Sequence, residues 1–207
     1  MSDQDTSPLV TIRVANEGDM EAIQRCRFDV YSEEGYIEPE NFPDGREYDE
    51  YDESSVSVIA TAGIGTFAVG TTRIIFGKYT NLPIQQKPHY LTISQPEKVG
   101  EISRLCVRDG YRDGRISIAM YRTLFDVIEK NNIEEVYVIV DQAFYDTLCW
   151  IGFPFEVLGE PKDYMGLTIP AKCVISEVRP SLKKSENANL LGVTALFERP
   201  FPGSIIM

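Results

Sequence analysis

The sequence predicts an α/β domain built on a mixed central β-sheet flanked by helices, and three observations carry that expectation. Strand-like and helix-like patterns alternate along the chain, the order that layers helices against a sheet. Glu135–Val140, EVYVIV, is apolar at most positions, as a strand covered on both faces is. Residues 101–158 read as strand, helix, strand, helix, strand, with a tight charged glycine turn before the first helix. At 207 residues the chain is long enough to bury a sizeable core without disulfide staples.

Residues 1–8 are polar and read as a disordered tail before a domain over 9–180. Leu9–Val14 alternates as a first strand. Asn16 is a good N-cap for a helix over 17–32, whose apolar face gathers Met20, Ile23, Val30 and Tyr31. Arg27 falls on that same face, where a core residue is expected, so it needs an anionic partner or an edge to snorkel from. Residues 33–53 form a long acidic loop broken by Gly35, Pro39, Pro43 and Gly45. Ser55–Ala60 and Thr66–Phe76 read as two strands joined by a turn at Gly63 and Gly65. Pro83–Pro96 is irregular and carries His89, read as a surface residue. Glu101–Val107 is a buried strand, Arg115–Lys130 an amphipathic helix, Gln142–Trp150 a short helix and Phe153–Leu158 a strand. Cys173–Val178 reads as one more strand. Residues 181–207 read as a polar linker and a C-terminal tail.

The composition excludes several classes. The net charge of −12 argues against nucleic-acid binding, which wants a basic face. No stretch approaches the length of an apolar membrane helix, and the acidic start, MSDQDTSPLV, lacks the features of a secretory signal. Four scattered cysteines without a CxxC pair read as free thiols in a reducing cytoplasm, and a single histidine disfavours a histidine-based metal site or a Ser-His triad. Cys106, in an apolar strand, reads as a small buried hydrophobe. The charge is uneven: residues 29–53 hold eleven acids and one base, whereas 104–122 holds five arginines and two aspartates. Such a basic island suggests a local anionic ligand, or a solvated helix start.

The turn Val107-Arg108-Asp109-Gly110-Tyr111-Arg112-Asp113-Gly114-Arg115-Ile116-Ser117 resembles the cofactor loop of GNAT acyltransferases, in which backbone amides opening a helix hold the phosphates of an acyl-CoA. The resemblance assigns donor phosphate or carrier binding to Val107, Arg108, Arg112, Gly114 and Arg115. Arg115 and Ser117 stand where the family has glycines, a departure that suits the single phosphate of a phosphopantetheine arm and an acidic carrier surface. Trp150-Ile151-Gly152-Phe153 is similar to the later GNAT signature, but Leu148 occupies the place of the tyrosine many members carry.

Four further motifs, in order, resemble the autoinducer-synthase branch of that fold, which includes the acyl-homoserine-lactone synthases and the long-chain N-acyl amino acid synthases. They are Arg27 with Tyr31; Glu47, Asp49, Tyr51 and Asp52; Val69, Gly70 and Arg73; and Glu101, Ser103 and Arg104. Gly159-Glu160-Pro161, Tyr164, Gly166 and Pro170 look like the ending of the amino acid synthases, and Tyr36 and Ile37 stand where the lactone synthases usually have a tryptophan. The resemblance implies a fatty acyl transfer from an acyl-carrier-protein or acyl-CoA thioester to the α-amine of an amino acid, with no permanently bound cofactor and no metal. A lactone synthase using S-adenosylmethionine and a non-catalytic module binding an acyl ligand or a carrier protein are the alternatives.

In that reading Glu101, Ser103 and Arg104 are catalytic, and Arg27, Tyr31, Asp49, Asp52 and Arg73 bind substrate. An amine attacks a thioester only when neutral, so Glu101 is the candidate base or water anchor. Glu101 and Arg104 lie an odd number of residues apart, so a regular strand would point them to opposite faces, and a bulge is needed to bring them to one site. Asp49 and Asp52, three apart, share one side of a helical turn and can hold Arg73 or Arg104. One of the three arginines is expected to clamp the substrate carboxylate bidentately. The acyl chain is expected to run against the helix at 115–130 and the aromatics Phe144, Trp150 and Phe153.

Overall fold

The computed structural model describes residues 9–63, 67–86, 88–164 and 166–207. The expected tail at 1–8, the expected turn residue Gly65 and the expected first strand residue Thr66 lie outside the described residues. Nine strands form one sheet in the order β6-β8-β5-β4-β3-β2-β1-β9, with β7 paired to β8. They are β1 (Val10–Val14), β2 (Ser55–Ala62), β3 (Ala68–Phe76), β4 (Val99–Val107), β5 (Glu135–Asp141), β6 (Phe155–Val157), β7 (Lys162–Asp163), β8 (Leu167–Val174) and β9 (Ser204–Ile206). Every pairing is antiparallel except that of β4 with β5, so the sheet is mixed.

Helix α1 (Met20–Glu33) covers one face of the sheet and α2 (Arg115–Lys130) the other. Asn16 caps the turn before α1 as expected, accepting from Gly18 N at 2.9 Å, while the Asp19 carboxylate accepts from Asn16 N at 2.8 Å. The apolar stripe of α1, Ile23, Cys26, Val30 and Tyr31, packs on Ile59, Ala68 and Cys106. The stripe of α2 packs Ala119, Met120 and Leu124 into the main core with Val58, Val69 and Ile74. Ile74 and Ile75 point to opposite faces, and Ile75 joins Leu82, Ile84, Tyr51 and Tyr137 in a third cluster that pins the 77–98 segment to the sheet. All nine residues of β3 are buried, as befits a strand at the middle of the sheet.

Four expectations change. The segment expected as a strand at 173–178 is the end of β8 followed by α4 (Ile175–Lys184); Pro170 sits inside β8 and Pro180 inside α4, so proline hid both elements. The segment 181–207, expected as linker and tail, forms the end of α4, then α5 (Glu186–Leu190), α6 (Val193–Glu198) and β9, which pairs with β1. Its anchors Ala188, Val193 and Phe197 are buried in the main core. Arg122, counted in the basic island, is 3% exposed and donates to the carbonyls of Leu196 at 3.0 Å and Arg199 at 2.8 Å, so it fastens α6 instead of meeting a ligand. His89 is buried, because Leu82 and Ile84 carry its loop down onto the sheet. Among the described residues, no helix is long and apolar enough to cross a membrane.

Candidate active site

β4 and β5 pair only from Val99–Glu135 to Ile102–Val138 and then part. The opening between them is a cavity of about 550 Å3. Across β3, Arg73 pairs with Ser103 but Thr71 pairs with Cys106, so β4 carries one extra residue at Arg104–Leu105. Arg104 absorbs the bulge with a left-handed φ of 54°. This is the kink that the spacing of Glu101 and Arg104 requires, and both side chains line the cavity. Gly70 faces the bulge across β3, where an added Cβ would sit 3.2 Å from the Cys106 carbonyl oxygen.

The cavity has a polar end and an apolar end. At the polar end, three arginines and three carboxylates make one closed network. Arg27 donates to both oxygens of Asp52 at 2.8 and 2.5 Å and to the Glu47 carbonyl at 2.8 Å, and its Nε lies 2.7 Å from Glu47 Oε2 in an ion-pair contact. Arg73 binds both oxygens of Asp49 at 2.6 and 2.7 Å, Asp52 at 2.7 Å and Ser103 Oγ at 3.1 Å. Arg104 donates to Glu47 at 2.9 Å and Asp49 at 2.8 Å. Hydrogen bonds from Arg73 and Arg27 outweigh the opposing effect of burial and hold Asp49 and Asp52 below the usual carboxylate range. Burial works against the Arg104 cation too, but facing Glu47 and Asp49 raise its pKa.

Glu101 stands apart from this network. It is 1% exposed, and its Oε2 accepts from the Ile84 backbone N–H at 2.8 Å. Burial pushes its pKa up to about 8, against the pull of the Ile84 amide and of Arg73 and Arg104 nearby. Among the residues that share the cavity wall with it are Tyr31, Tyr51 and Tyr164. Tyr51 faces the Arg73 guanidinium at 5.8 Å and takes a hydrogen bond from Gln86, and Tyr31 faces Arg104 at 6.0 Å.

At the start of α2, Gly114 adopts a left-handed φ of 83° and Asp113 Oδ1 accepts from the Arg115 backbone N–H at 2.9 Å, while Gly114, Ser117 and Ile118 line the cavity. The arginines here are paired. Arg108 meets Asp29 at 2.7 Å, Arg112 meets Glu34 at 2.5 Å and Arg115 meets Asp113 at 2.5 Å.

All three residues read as catalytic, Glu101, Ser103 and Arg104, line the cavity. Of the expected substrate-binding set, Tyr31, Asp49 and Arg73 line it, while Arg27 and Asp52 sit behind them in the network. Of the donor set, Val107, Arg112 and Gly114 line it and Arg108 and Arg115 do not. The bidentate clamp on a substrate carboxylate finds no free fork, because Arg27 and Arg73 have every guanidinium nitrogen engaged, and Arg104 keeps only Nη1 without a carboxylate. Cys106 is buried and lines the cavity. Trp150 of α3 (Gln142–Ile151), expected along the acyl path, is 57% exposed and does not line the cavity, while Phe144 does. Sequence reasoning left the network roles of Glu47 and the Ile84 amide unassigned. Glu47 lay in a quoted motif, but a backbone amide carries no sequence signal.

Comparison with known proteins agrees with this architecture. A CoA-dependent acyl-homoserine lactone synthase, BjaI, superposes with a TM-score of 0.70 at 23% identity, over 84% of this chain and 86% of that one. FeeM, an N-acyl amino acid synthase from uncultured soil microbes, superposes with a TM-score of 0.66 at 16% identity, over 87% of this chain and 99% of that one. The lactone synthase LasI gives 0.65 at 15% identity, over 82% and 91%. These likenesses show a GNAT-like acyltransferase fold. No curated protein sequence matches the chain. Residues 22–176, which span both ends of the cavity, match the family of the N-acyl amino acid synthase FeeM, and the chain belongs to that family of N-acyltransferases.

Proposed function

We propose that this protein transfers a fatty acyl group from a carrier-protein or CoA thioester to the α-amine of an amino acid, with Glu101 taking the proton from the amine. The observation that carries this is a single buried carboxylate, outside the ion-pair network, facing the cavity beside the β4 bulge with its pKa near 8. A base poised close to the working pH is the one that transfers protons well. The amine nitrogen attacks the thioester carbon, the C–N bond forms, the C–S bond breaks, and the amine's proton ends on the departing thiol. The direct attack needs no covalent enzyme intermediate and no resident cofactor.

Beyond Ile102 the backbone of β4 no longer pairs with β5, so N–H groups around the bulge are placed to receive the developing thioester oxyanion. The donor's phosphate would take the place of the Asp113 carboxylate at the Arg115 amide that opens α2, with Arg112 on the cavity wall. Arg104 Nη1 is the contact left for the acceptor carboxylate. Glu47 and Asp49 hold Arg104 in place, Arg73 braced by Ser103 holds Asp49, and Arg27 and Asp52 lock that frame from behind. Leu148 replaces a phenol, so the thiol takes its proton without one at that place.

The test is to incubate the protein with acyl-carrier protein or acyl-CoA and either a panel of amino acids or S-adenosylmethionine, and to read products by mass spectrometry. An N-acyl amino acid is the expected product. An acyl-homoserine lactone would assign the protein to the other branch, and no product with any pair would leave a binding module.

A further inference from the structure

Behind the cavity's apolar end lies a second, smaller void of about 30 Å3 in the main core, walled on its far side by Phe125, Phe153, Cys173, Val178 and Phe197. Three residues line both spaces: Ile102, Tyr121 and Leu148. Ile102 is fixed in β4, where it pairs with Ile74 and Val138. Tyr121 on α2 and Leu148 on α3 come from two different helices and are 8% and 1% exposed. Tyr121 is stacked on Phe144 with ring centroids 6.1 Å apart and leans on Phe153 at 6.4 Å, so its position is set by rings on both sides of the partition. Ile102, Tyr121 and Leu148 thus stand between the cavity and the smaller void.

We infer that Leu148 and Tyr121 set the longest acyl chain this enzyme accepts, the terminal methyl of the chain resting on them. The inference rests on the acyl-transfer reading and adds to it a length limit held by two named residues. Each methylene that finds an apolar wall strengthens binding roughly fourfold. A chain one step too long has no wall to gain: it must displace the partition or draw the thioester away from Glu101. Densely packed interiors resist the first, so the limit falls on the rate.

The test uses the full chain, one acceptor and acyl donors of graded length from about six to about eighteen carbons, with kcat/KM read against length. The unaltered protein is expected to show a rise, an optimum and a fall. Leu148→Ala joins the two spaces and should move the optimum longer by about two to four carbons. Cys173→Leu refills the void from its far side without touching the cavity, so the Leu148→Ala/Cys173→Leu pair should restore the original optimum. An active Leu148→Ala protein with the original length profile, or a double variant that keeps the shift, would overturn the inference. Should Leu148→Ala fail to fold, Leu148→Val carries the same test with a shift of about one carbon. Calorimetric binding of free fatty acids of graded length reads the partition without catalysis. A protein that transfers no acyl group yet binds fatty acids up to this limit, and longer ones once Leu148 is cut, would remove the reaction and leave the partition. One that transfers every length equally would remove the partition and leave the reaction.

Discussion

Two ion-pair clusters beside the cavity use the same residue types and differ in depth. At the proposed acceptor side, Arg27, Arg73 and Arg104 meet Glu47, Asp49 and Asp52 with side chains no more than 17% exposed. At the proposed donor side, Arg108, Arg112 and Arg115 meet Asp29, Glu34 and Asp113 with side chains 20–76% exposed. A buried pair forfeits hydration, so removing one partner strands a charge and costs about 3–5 kcal/mol. A surface pair is worth about 0–1 kcal/mol and can be exchanged for another anion at little loss. The buried cluster is therefore a rigid frame beside Glu101, and in the proposed reading the exposed pairs can give up their carboxylates to a phosphate or to an acidic carrier.

The strongest way to break that contrast lies at Glu101, the buried acid that stands beside the frame without an ion-pair partner in it. Glu101→Gln keeps the shape and removes the base. Its kcat is expected to fall by roughly 10²–10⁴-fold at neutral pH, with the loss shrinking at high pH, where the free amine is already neutral. Stability should move the other way. The folded pKa near 8 lies above the ordinary value, so the group's contribution is full below about pH 4.5 and is lost as pH rises through about 8. Unfolding in denaturant at pH 9 should find the Gln variant more stable than the unaltered protein. A variant that keeps both kcat and the original stability profile would show that Glu101 is neither base nor buried charge.

Next comes the frame itself. Asp52→Asn withdraws one carboxylate shared by Arg27 and Arg73, and unfolding free energy should drop by about 3–5 kcal/mol. Asp29→Asn, the surface counterpart on Arg108, should cost about 1 kcal/mol or less. Equal losses at the two sites would erase the distinction between frame and exchangeable pair. Acid sharpens the same point. Asp49 and Asp52 have folded pKa values lowered by Arg73 and Arg27, so their stabilisation is present above the ordinary carboxylate value of 3.8 and is lost as pH falls through the depressed ones. Melting temperature against pH should therefore fall below about pH 4 in the unaltered protein and less steeply in Asp52→Asn.

What the sequence made legible follows from the range of the forces involved. Arg27 announced itself because a cation on an apolar helix face requires a partner, and it has Glu47 and Asp52. The odd spacing of Glu101 and Arg104 announced a bulge, and β4 has one. The basic island misled, because sequence counts charges without their neighbours: Arg122 is buried against carbonyls of α6, and Arg108 is spent on Asp29 from α1. The C-terminal segment misled for a related reason. Its polar run, Ser181–Asn189, hides Leu182 and Ala188, too few apolar positions to show a period yet enough to seat α4 and α5 on the core. The partition at Tyr121 and Leu148 had no sequence signal at all, since a void is a property of packing between elements distant in the chain.

The smallest expected effect belongs to the proposed donor side, and it decides which donor the exchangeable pairs receive. Arg112 is the one arginine of that set lining the cavity, and Glu34, its partner, lines it as well. Arg108→Glu together with Arg112→Glu should leave kcat nearly unchanged, because neither group meets the reacting atoms. If an acidic carrier docks here, apparent KM for acyl-carrier protein should rise several-fold at low salt, with the difference from the unaltered protein fading as salt screens the encounter. KM for acyl-CoA should rise less, since a small donor is held chiefly by the amides opening α2. Measuring both donors at two ionic strengths separates the cases. A double variant with unaltered carrier kinetics at low salt would remove carrier docking from this surface and leave the Arg108–Asp29 and Arg112–Glu34 pairs as fasteners between α1 and the loop before α2.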